Sequence, residues 1–326
     1  IYKGVSDGSV EYIRENKVDL WVLQRNSTNI LRGTSILSAY QTGRIKKNEN
    51  VIEVSPALLL LTTVKNSGKR STIFLAGYDI ETGLGGPPKL IKGKNVNADN
   101  EIVLDNSFAL NNGFNVGDEL IILEDTLRVC GISSGTNAFV IQYAFTTLAE
   151  AQSLLGFPGI VTCYLVKLKN GSDVNETAAE IQELIAGSVV YNHNDFLENN
   201  IKEMESGFLP ILYAVASLGA IVLTTVLSLI LSINILERKK DFAVMKILGS
   251  PSGFLPKLII QQAVFISLIS GGLSLILYFP LVSIIEKLSP EVSTITTLSQ
   301  ILIVLIVGLL MGVLSSIIAL SRLRKI

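Results

Sequence analysis

The chain is 326 residues long, 48% of them hydrophobic and 17% charged, with a formal net charge of −1. Soluble globular proteins carry about 25% charged residues, so this composition disfavours an ordinary soluble enzyme. A net charge near zero argues against a strongly basic nucleic-acid-binding protein, unless the charges are segregated. We expect no nucleic acid among its partners.

The charges are in fact segregated along the chain. Residues 1–205 hold 18 Lys or Arg against 24 Asp or Glu, whereas residues 206–326 hold 9 against 4. The second part contains three charge-free runs of 28 to 31 residues, and about 20 apolar residues suffice to cross a bilayer as a helix. These runs predict three transmembrane helices, at about 208–236, 258–285 and 294–321.

The first part, residues 1–205, shows the pattern of an α+β domain. Residues 147–150 (TLAE) form a capping box that opens one helix, and Asp173 caps another over 174–186. With strands before and after it, the second helix predicts a βαβ unit that ends in the strand 188–191. Apolar or alternating runs predict six strands: Asp19–Leu23, Thr72–Ala76, Glu101–Leu104, Glu119–Leu123, Thr126–Val129 and Thr162–Leu168.

Residues 194–206 are polar, with apolar side chains at a helical spacing. This pattern predicts a stalk helix that continues into the first span. Pro210 lies in the same run, and a proline inside a helix removes a hydrogen bond. A break or kink at Pro210 is therefore the alternative.

The sequence lacks the signals of a nucleotide or metal site. The Gly-Lys pairs at 68–69 and 93–94 are followed by Arg and Asn, where a phosphate-binding loop needs Ser or Thr. One His and two Cys cannot form a structural zinc site. We expect no cofactor and no metal bound by this chain, and Cys130 and Cys163 are either a disulfide or two buried thiols.

Residues 131–135 (GISSG) match the G-x-S-x-G pattern of serine hydrolases. In those enzymes the serine leads into a helix, whereas residues 137–145 predict another strand. His193, the only histidine, lies in an Asn-rich segment that would shield a general base poorly. We therefore predict a non-catalytic chain, with Ser133 in a hairpin loop.

No Asp, Glu, Lys, Arg or His occurs within the predicted spans. Ion-coupled transporters usually carry such residues inside the membrane, so an ion-driven pump is disfavoured. Small residues recur instead at every fourth position, and such ridges let helices pack closely in lipid. They predict packing either within the subunit or across a homodimer, through Ala216, Ala220, Thr224, Ser228 and Ser232 of the first span and Gly308, Gly312 and Ser316 of the third.

The segment between the first two spans is basic and amphipathic. Phe242, Met245 and Leu248 form an apolar stripe on a short helix, and Gly249 ends that helix. The helix either rests on the membrane surface or docks into a cytoplasmic partner. Its charged residues are Arg238, Lys239, Lys240, Asp241 and Lys246.

Basic flanks set the orientation, because cytoplasmic loops are enriched in Lys and Arg. The segment just described and the C-terminal tail are both basic, which predicts that they are cytoplasmic and that residues 1–205 are extracytoplasmic. An exported domain needs an export element, yet the chain opens Ile1-Tyr2-Lys3-Gly4. We expect either a further membrane helix upstream of Ile1 or a removed signal peptide.

At residues 238–250 (RKKDFAVMKILGS) the chain resembles the FtsX/MacB-like family of ABC-transporter permeases. The family segment reads R-x-x-E-[FI]-[AG]-x-[LM]-[KR]-x-[LI]-G-[AS], and Asp241 stands here in place of Glu. The first part of the chain is similar to the family's extracytoplasmic domain at residues 101–123 and 127–132 (LRVCGI). The likeness covers nearly the whole chain.

The resemblance implies a bundle of three membrane helices, with a fourth upstream, and an α+β extracytoplasmic domain. It implies a permease subunit of the plasma (inner) membrane, working as a homodimer or pseudo-symmetric heterodimer with an ABC-type ATPase that binds ATP and magnesium. Membrane lipid and an extracytoplasmic adaptor are further expected partners. The residues expected to couple the ATPase are Arg238, Lys239, Lys240, Asp241, Phe242, Met245, Lys246, Leu248 and Gly249.

The implied mechanism is mechanotransmission, in which ATP-driven motion in the cytoplasm reshapes the extracytoplasmic domain. No substrate then crosses a central pore. The alternative function is a membrane-anchored binding or signalling protein, or an FtsX-like regulator of cell-wall enzymes. The exported substrate and the attachment of the ATPase, fused or separate, stay open.

Overall fold

A computed structural model describes residues 10–30, 33–66, 69–138, 141–251, 253–288 and 297–323. Ile1–Gly4, Gly68 and the start of the third predicted span, 294–296, lie outside these residues. The chain divides into two units, one ending at Ser206 and the other beginning at Gly207. We call them the outer unit and the membrane unit.

The outer unit combines strands with five short helices among its described residues. The helices are α1 Glu11–Glu15, α2 Thr42–Ile45, α3 Asn106–Asn112, α4 Leu148–Leu155 and α5 Val174–Leu184. The strands are β1 Leu20–Gln24, β2 Leu37–Ser38, β3 Val51–Asn66, β4 Lys69–Tyr78, β5 Lys89–Gly93, β6 Glu101–Asp105, β7 Glu119–Ile122, β8 Asp125–Ser134, β9 Asn137–Ala138, β10 Ile141–Thr147, β11 Ile160–Val161, β12 Cys163–Leu168 and β13 Ser188–Asn192.

Most of these strands join one mixed sheet. Its order is β13-β1-β12-β3-β4-β10-β6-β8-β5, with β7 beside β3 and β8 and with β9 beside β10. The pairs β4–β10 and β6–β8 are parallel, whereas β3 pairs antiparallel with β12, β4 and β7. Strands β2 and β11 form a separate two-stranded ladder.

Strand β3 is the central strand of the outer unit. It is 16 residues long and contributes to all three hydrophobic clusters of the unit. Leu59 joins the cluster around Trp21, Leu58 joins the cluster around Phe108, and Val54 joins a third cluster. One strand therefore contributes side chains to each of the three clusters of the outer unit.

The predicted strands are confirmed, but Asp19 and Leu123 lie outside β1 and β7, and the most informative difference is at Thr162. That residue lies between β11 and β12 and belongs to neither. Its backbone N–H donates to the Ala57 carbonyl at 2.9 Å, and its hydroxyl accepts from the Leu59 N–H at 2.9 Å. Thr162 therefore bonds to β3 through both its backbone N–H and its hydroxyl. It separates β11 from β12 where one strand was predicted.

The predicted βαβ unit is also present, in a split form. Strands β12 and β13 both pair antiparallel with β1, so they are parallel to each other with β1 between them. Helix α5 connects them. The prediction identified the crossover but not the inserted strand, which comes from a distant part of the sequence.

The helix caps follow the predicted side-chain chemistry. Thr147 Oγ1 accepts from the Glu150 N–H at 3.0 Å, but the Glu150 carboxylate accepts from the Asn100 N–H at 3.1 Å instead of completing the box. Asp173 accepts from the Asn175 and Glu176 N–H groups. Helix α5 ends at Leu184, two residues before the predicted end.

The longest helix is α6, His193–Glu237, with 45 residues and Pro210 inside it. The predicted stalk is confirmed as part of this helix, and the alternative of a break at Pro210 is wrong. The beginning of α6 packs into the core of the outer unit. There Phe196 stacks on Trp21 with ring centroids 4.7 Å apart, and the Ile30 N–H donates to Asn200 Oδ1 at 3.0 Å.

The membrane unit holds the rest of α6 and three further helices. These are α7 Lys239–Ile247, α8 Phe254–Leu288 and α9 Leu298–Leu323. Three segments of the described residues are long and apolar enough to cross a membrane, which confirms the prediction of three membrane helices. They are Leu209–Glu237, Pro256–Ile284 and Leu298–Ser321.

Helix α4 lies so close to β4 that only glycine fits at position 77. A Cβ on Gly77 would lie 2.3 Å from the Ala151 Cβ and 3.2 Å from the Thr147 carbonyl oxygen. We predict that Gly77→Ala lowers the free energy of unfolding by about 1–3 kcal/mol, as overpacking does. Gly43→Ala is the matched control, since nothing lies within 4 Å of its added Cβ.

The measurement is urea unfolding of the detergent-solubilised protein, followed by tryptophan fluorescence. Trp21 is the only tryptophan and is fully buried in the outer unit, so the signal reports that unit alone. The Gly77→Ala midpoint should fall, while the Gly43→Ala midpoint should stay or rise, because Gly43 lies in helix α2 and alanine favours a helix over glycine. Equal midpoints in the two variants would contradict the close packing of α4 on β4.

Candidate functional site

The candidate site is helix α7, which follows α6 after a turn at Arg238. Backbone bonds link the two helices, since the Arg238 N–H donates to the Asn234 carbonyl at 3.2 Å and the Phe242 N–H donates to the Arg238 carbonyl at 3.1 Å. The orientation of α7 is therefore tied to the end of the first span.

One side chain anchors α7 to the membrane unit. Phe242 packs against a buried cluster that draws residues from α6, α8 and α9. That cluster includes Leu231 and Ile235 of α6, Ile259 of α8 and Ala319 of α9. Phe242 thus joins α7 to the place where the three spans meet.

The far end of α7 is apolar and exposed. Ile247 is 84% exposed and Leu248 is 82% exposed. Met245 is less exposed, at 38%. The predicted stripe of Phe242, Met245 and Leu248 is therefore divided, because Phe242 faces the bundle while Leu248 projects into the surroundings. Sequence periodicity missed Ile247, which lies next to Leu248 and is equally uncovered.

Gly249 terminates the helix as predicted. Its φ of 89° is left-handed, and the Ser250 N–H donates to the Met245 carbonyl at 3.1 Å. This pair of features is a Schellman ending, which glycine adopts without strain. The ending fixes the exposed Ile247 and Leu248 at a defined terminus.

The charged residues of the predicted site surround this helix. Arg238, Lys239, Lys240 and Asp241 are all exposed. None of them forms an ion pair with another described residue. The side chain of Lys246 lies outside the described part. The site therefore presents three exposed cations and an exposed apolar end.

The predicted packing ridges are only partly covered within one chain. On α6, Ser228 is buried, Thr224, Ser232 and Ala220 are partly buried, and Ala216 is exposed. The Ser315 hydroxyl of α9 donates to the Thr224 carbonyl at 3.1 Å. The structure therefore brings α6 and α9 together near Thr224 and leaves Ala216 uncovered.

On α9 the two glycines of the ridge have different surroundings. A Cβ on Gly312 would lie 2.0 Å from Ser267 Oγ and 3.4 Å from the Ala263 carbonyl oxygen, both on α8. A Cβ on Gly308 would meet nothing within 4 Å. Ser316 is buried. Of the two ridge glycines, only Gly312 lies at a close contact of α9 with α8.

The serine-hydrolase arrangement is not formed. Ser133 is fully buried near the end of β8 and not in the predicted hairpin loop. Its hydroxyl lies 3.3 Å from the Leu104 carbonyl oxygen and 3.1 Å from Thr136 Oγ1. His193 Nδ1 instead accepts from Trp21 Nε1 at 3.4 Å, and burial lowers the pKa of His193. The single strand predicted over 137–145 is instead two strands, β9 and β10, which pair antiparallel with each other. They stand where a nucleophile elbow requires a helix.

The cysteines are two free, buried thiols and not a disulfide. Burial raises the pKa of Cys130 to about 11 and that of Cys163 to about 12. Both thiols are therefore protonated near neutral pH, and the thiolate is the reactive form. In the described ranges, no three His, Cys, Asp or Glu side chains are grouped as metal ligands would be.

Three spans, an α+β unit ahead of them and a basic helix after the first span define an integral membrane protein of the permease type. Residues 191–326 match the family model of the FtsX-like permease C-terminal region, and residues 1–184 match that of the MacB-like periplasmic core domain. The chain belongs to the FtsX/MacB-like ABC-transporter permeases. It is a membrane protein whose outer unit is extracytoplasmic.

Individual relatives are more distant. An uncharacterized ABC transporter permease of Methanocaldococcus jannaschii is 26% identical over 208 residues, which are 60% of this chain and 50% of that protein. The chain thus matches half the length of this relative. The prediction of the family is confirmed by the two family models, which together cover nearly all residues.

Two solved structures are similar to the outer unit. The periplasmic region of MacB from Actinobacillus actinomycetemcomitans is 16% identical, with a TM-score of 0.45, covering 56% of this chain and 92% of that one. The extracellular domain of the noncanonic ABC-type transporter YknZ from Gram-positive bacteria is 10% identical, with a TM-score of 0.42, covering 54% and 99%. The family assignment rests on the sequence matches.

The contrast between Gly312 and Gly308 gives a matched test of the helix packing. We predict that Gly312→Leu destabilises the membrane unit by about 1–3 kcal/mol, because the new side chain overlaps Ser267 and Ala263. Gly308→Leu should leave stability unchanged, since its surroundings within the chain are open. The measurement is the thermal aggregation midpoint of each variant in detergent.

A loss of stability in Gly308→Leu alone would contradict the packing of α9 on α8. A loss in both variants, with the Gly308→Leu loss confined to high protein concentration, would place Gly308 at a contact between copies of the chain. The intact outer unit in each variant is verified by Trp21 fluorescence.

Proposed function

We propose that this chain is the non-catalytic permease subunit of an ABC exporter in the plasma membrane, and that α7 docks into a partner ATPase. The partner binds and hydrolyses ATP with magnesium. The observation that carries the proposal is the division of α7 into an anchor, Phe242, and an exposed apolar end, Ile247 and Leu248. Family membership supports an ATPase as the partner.

The exposed end of α7 has the chemistry of a docking helix. Full burial of an Ile or Leu side chain stabilises a complex by about 1.5–3 kcal/mol, and both side chains are more than four-fifths exposed in the isolated chain. Helices dock by laying such side chains into an apolar groove. Arg238, Lys239 and Lys240 beside them favour an acidic rim on that groove and accelerate its encounter.

The proposed mechanism is mechanotransmission through α6. This helix has 45 residues, a length of about 68 Å at 1.5 Å per residue. Its first turns carry Phe196 and Asn200, which pack in the outer unit, and its last turns carry Ile235, which packs in the same cluster as Phe242. A shift of α7 driven by ATP therefore acts on one continuous helix, and the outer unit responds without a substrate crossing a central pore.

We further propose that two permease chains work together, as a homodimer or a pseudo-symmetric heterodimer. Between 0 and 17% of the residues of each span are buried within one chain. Ala216 at the uncovered part of the α6 ridge is exposed and small, which suits close approach by another helix. A dimer also supplies two α7 helices for two ATPase subunits.

A second function is favoured by the same exposed end. Ile247 and Leu248, with three cations beside them, also suit a helix lying on an anionic membrane surface. In that case the chain is a membrane-anchored binding or signalling protein, or a regulator of cell-wall enzymes. The two functions differ in what contacts Leu248.

A single exposed thiol distinguishes these functions. Both native cysteines are buried, so Leu248→Cys adds one accessible thiol at the end of α7. In membranes of the native host, we predict that a short bismaleimide links this cysteine to an ABC-type ATPase, identified by mass spectrometry. Leu110→Cys is the matched control, because Leu110 is 64% exposed but lies on α3 of the outer unit.

Reaction of Leu248→Cys with a lipid-soluble maleimide, together with absence of any ATPase adduct, would support the surface-anchored function instead. Reversal of charge at Lys239, Lys240 and Lys246 to Glu should reduce the yield of the ATPase adduct several-fold. Equal yields with and without the reversed charges would show that the cations take no part in docking.

Continuity of α6 is tested by insertions after Ser206. Four glycines should interrupt the helix, because each costs about 1 kcal/mol relative to alanine. Four alanines extend it by about one turn of 3.6 residues and keep its faces nearly aligned. We predict that the glycine variant still binds the ATPase but loses ATP-dependent change in the outer unit, whereas the alanine variant keeps both.

The measurement is hydrogen exchange of β13 and the first turns of α6, with and without ATP in the reconstituted complex. A glycine variant that responds to ATP as the natural chain does would contradict transmission through α6. ATPase capture in each variant verifies that the cytoplasmic contact is intact.

A further inference from the structure

The outer unit contains a cavity of about 310 Å³ that no element of the proposed mechanism uses. Strands β3 and β4 form one wall, through Leu58–Leu61 and Phe74. Ile30 and Ile36 come from the segment before β2, and Phe157 and Ile160 come from the segment after α4. Binding pockets for small molecules begin at about 300 Å³ and are mainly apolar.

Three of the polar side chains in the wall, those of Ser35, Thr162 and Asn29, have protein partners. The Ser35 hydroxyl donates to the Thr162 carbonyl and accepts from the Gln24 N–H at 2.8 Å. The Thr162 hydroxyl donates to the Ala57 carbonyl at 3.2 Å and accepts from the Leu59 N–H at 2.9 Å. Asn29 Oδ1 accepts from the Gly33 N–H at 3.0 Å.

These bonds determine the chemistry of an occupant. Ser35 and Thr162 use their hydroxyl hydrogens within the wall, so neither donates a hydrogen bond into the cavity. None of the described lining residues is charged. An ion would lose its hydration in this mainly apolar cavity without gaining a charged partner among the described lining residues, whereas a hydrocarbon loses nothing.

The mouth of the cavity is apolar as well. Ile36 is 59% exposed, Leu61 is 49% exposed and Phe157 is 41% exposed. Large apolar side chains that line a cavity and also face water mark a place where an apolar ligand enters. If a hydrocarbon chain lies inside the cavity, a polar group at the end of that chain lies outside these three residues, in water.

We propose that this cavity binds the alkyl chain of a single-chain amphiphile, with the polar head outside. A cavity of 150 Å³ holds benzene, so about 310 Å³ holds a chain of roughly ten carbon atoms. The ligand class is an unbranched fatty acid, an alkyl phosphate or an acylated peptide, which share this chain. The site goes beyond the proposed function and is independent of the ATPase.

The test is photo-crosslinking of the full chain in phospholipid nanodiscs. The probe is a ten-carbon fatty acid with a diazirine at its end, and adducts are located by peptide mass spectrometry. We expect saturable adducts within residues 57–61 and 157–163. Non-saturable labelling, or labelling only in the three spans, would overturn the proposal.

Two variants at the mouth test the site directly. Leu61→Glu and Ile36→Glu place a charge beside the entering chain, and each should raise the half-saturating probe concentration about tenfold. Leu110→Glu is the matched control, since it changes an exposed leucine of the outer unit away from the cavity. Trp21 fluorescence verifies the fold of each variant, and equal half-saturation in all three would overturn the proposal.

Competition by unlabelled amphiphiles identifies which part of the ligand the cavity recognises. Decanoate and decyl phosphate should displace the probe at similar concentrations, because the cavity contacts the shared chain. Hexanoate should compete at least tenfold less well than decanoate. Equal competition by the two chain lengths would overturn binding of the chain in a cavity of this size.

Discussion

The hydrocarbon core of the bilayer constrains the rest of this molecule. It offers no water to a polar backbone or a charge, so each span must be a helix that satisfies its own hydrogen bonds. The interiors of the three spans are accordingly charge-free, and their only charged residues, Glu237 and Lys257, lie at the ends. Because the spans bury few of their own residues within the chain, lipid or other helices must cover the remainder.

Helix α6 contributes buried residues to both the outer unit and the membrane unit. Pro210 donates no hydrogen bond to the Ser206 carbonyl, yet the helix is unbroken. Ser206 is exposed, so its carbonyl has access to water, and the proline costs less here than at the middle of a span. One continuous helix thus begins against Trp21 in the outer unit and ends beside the anchor of α7.

Local chemistry made much of the fold predictable. The spans follow from runs without charge, and the helix ends follow from the side chains of Thr147 and Asp173 and from Gly249. Strand β3 was not predicted because Leu58–Leu61 are apolar without alternation, and such a run fits a strand or a helix equally. Only pairing with distant strands decides between them.

The candidate site was predicted by residue type but not by orientation. Helical spacing groups Phe242, Met245 and Leu248, yet packing of Phe242 against three other helices turns Leu248 and Ile247 outward. Periodicity assumes that one face of a helix is buried, and here the tertiary contact covers only the beginning of that face. The coupling roles of the individual charged residues stay predictions.

A partner can act on this chain only where it can bury surface that the chain leaves exposed. The only charged residues of the spans, Glu237 and Lys257, lie at their ends, where an ion gradient acts on them little. Among the described residues, Ser133, His193 and the two thiols are not brought together as a catalytic site. Besides the spans, apolar surface is exposed at the end of α7 and at the mouth of the outer cavity, where burial by another molecule is favourable. In the proposed function an ATPase buries the first of these surfaces and, independently, an amphiphile buries the second, so the proposed coupling requires binding to this chain and no reaction at its residues.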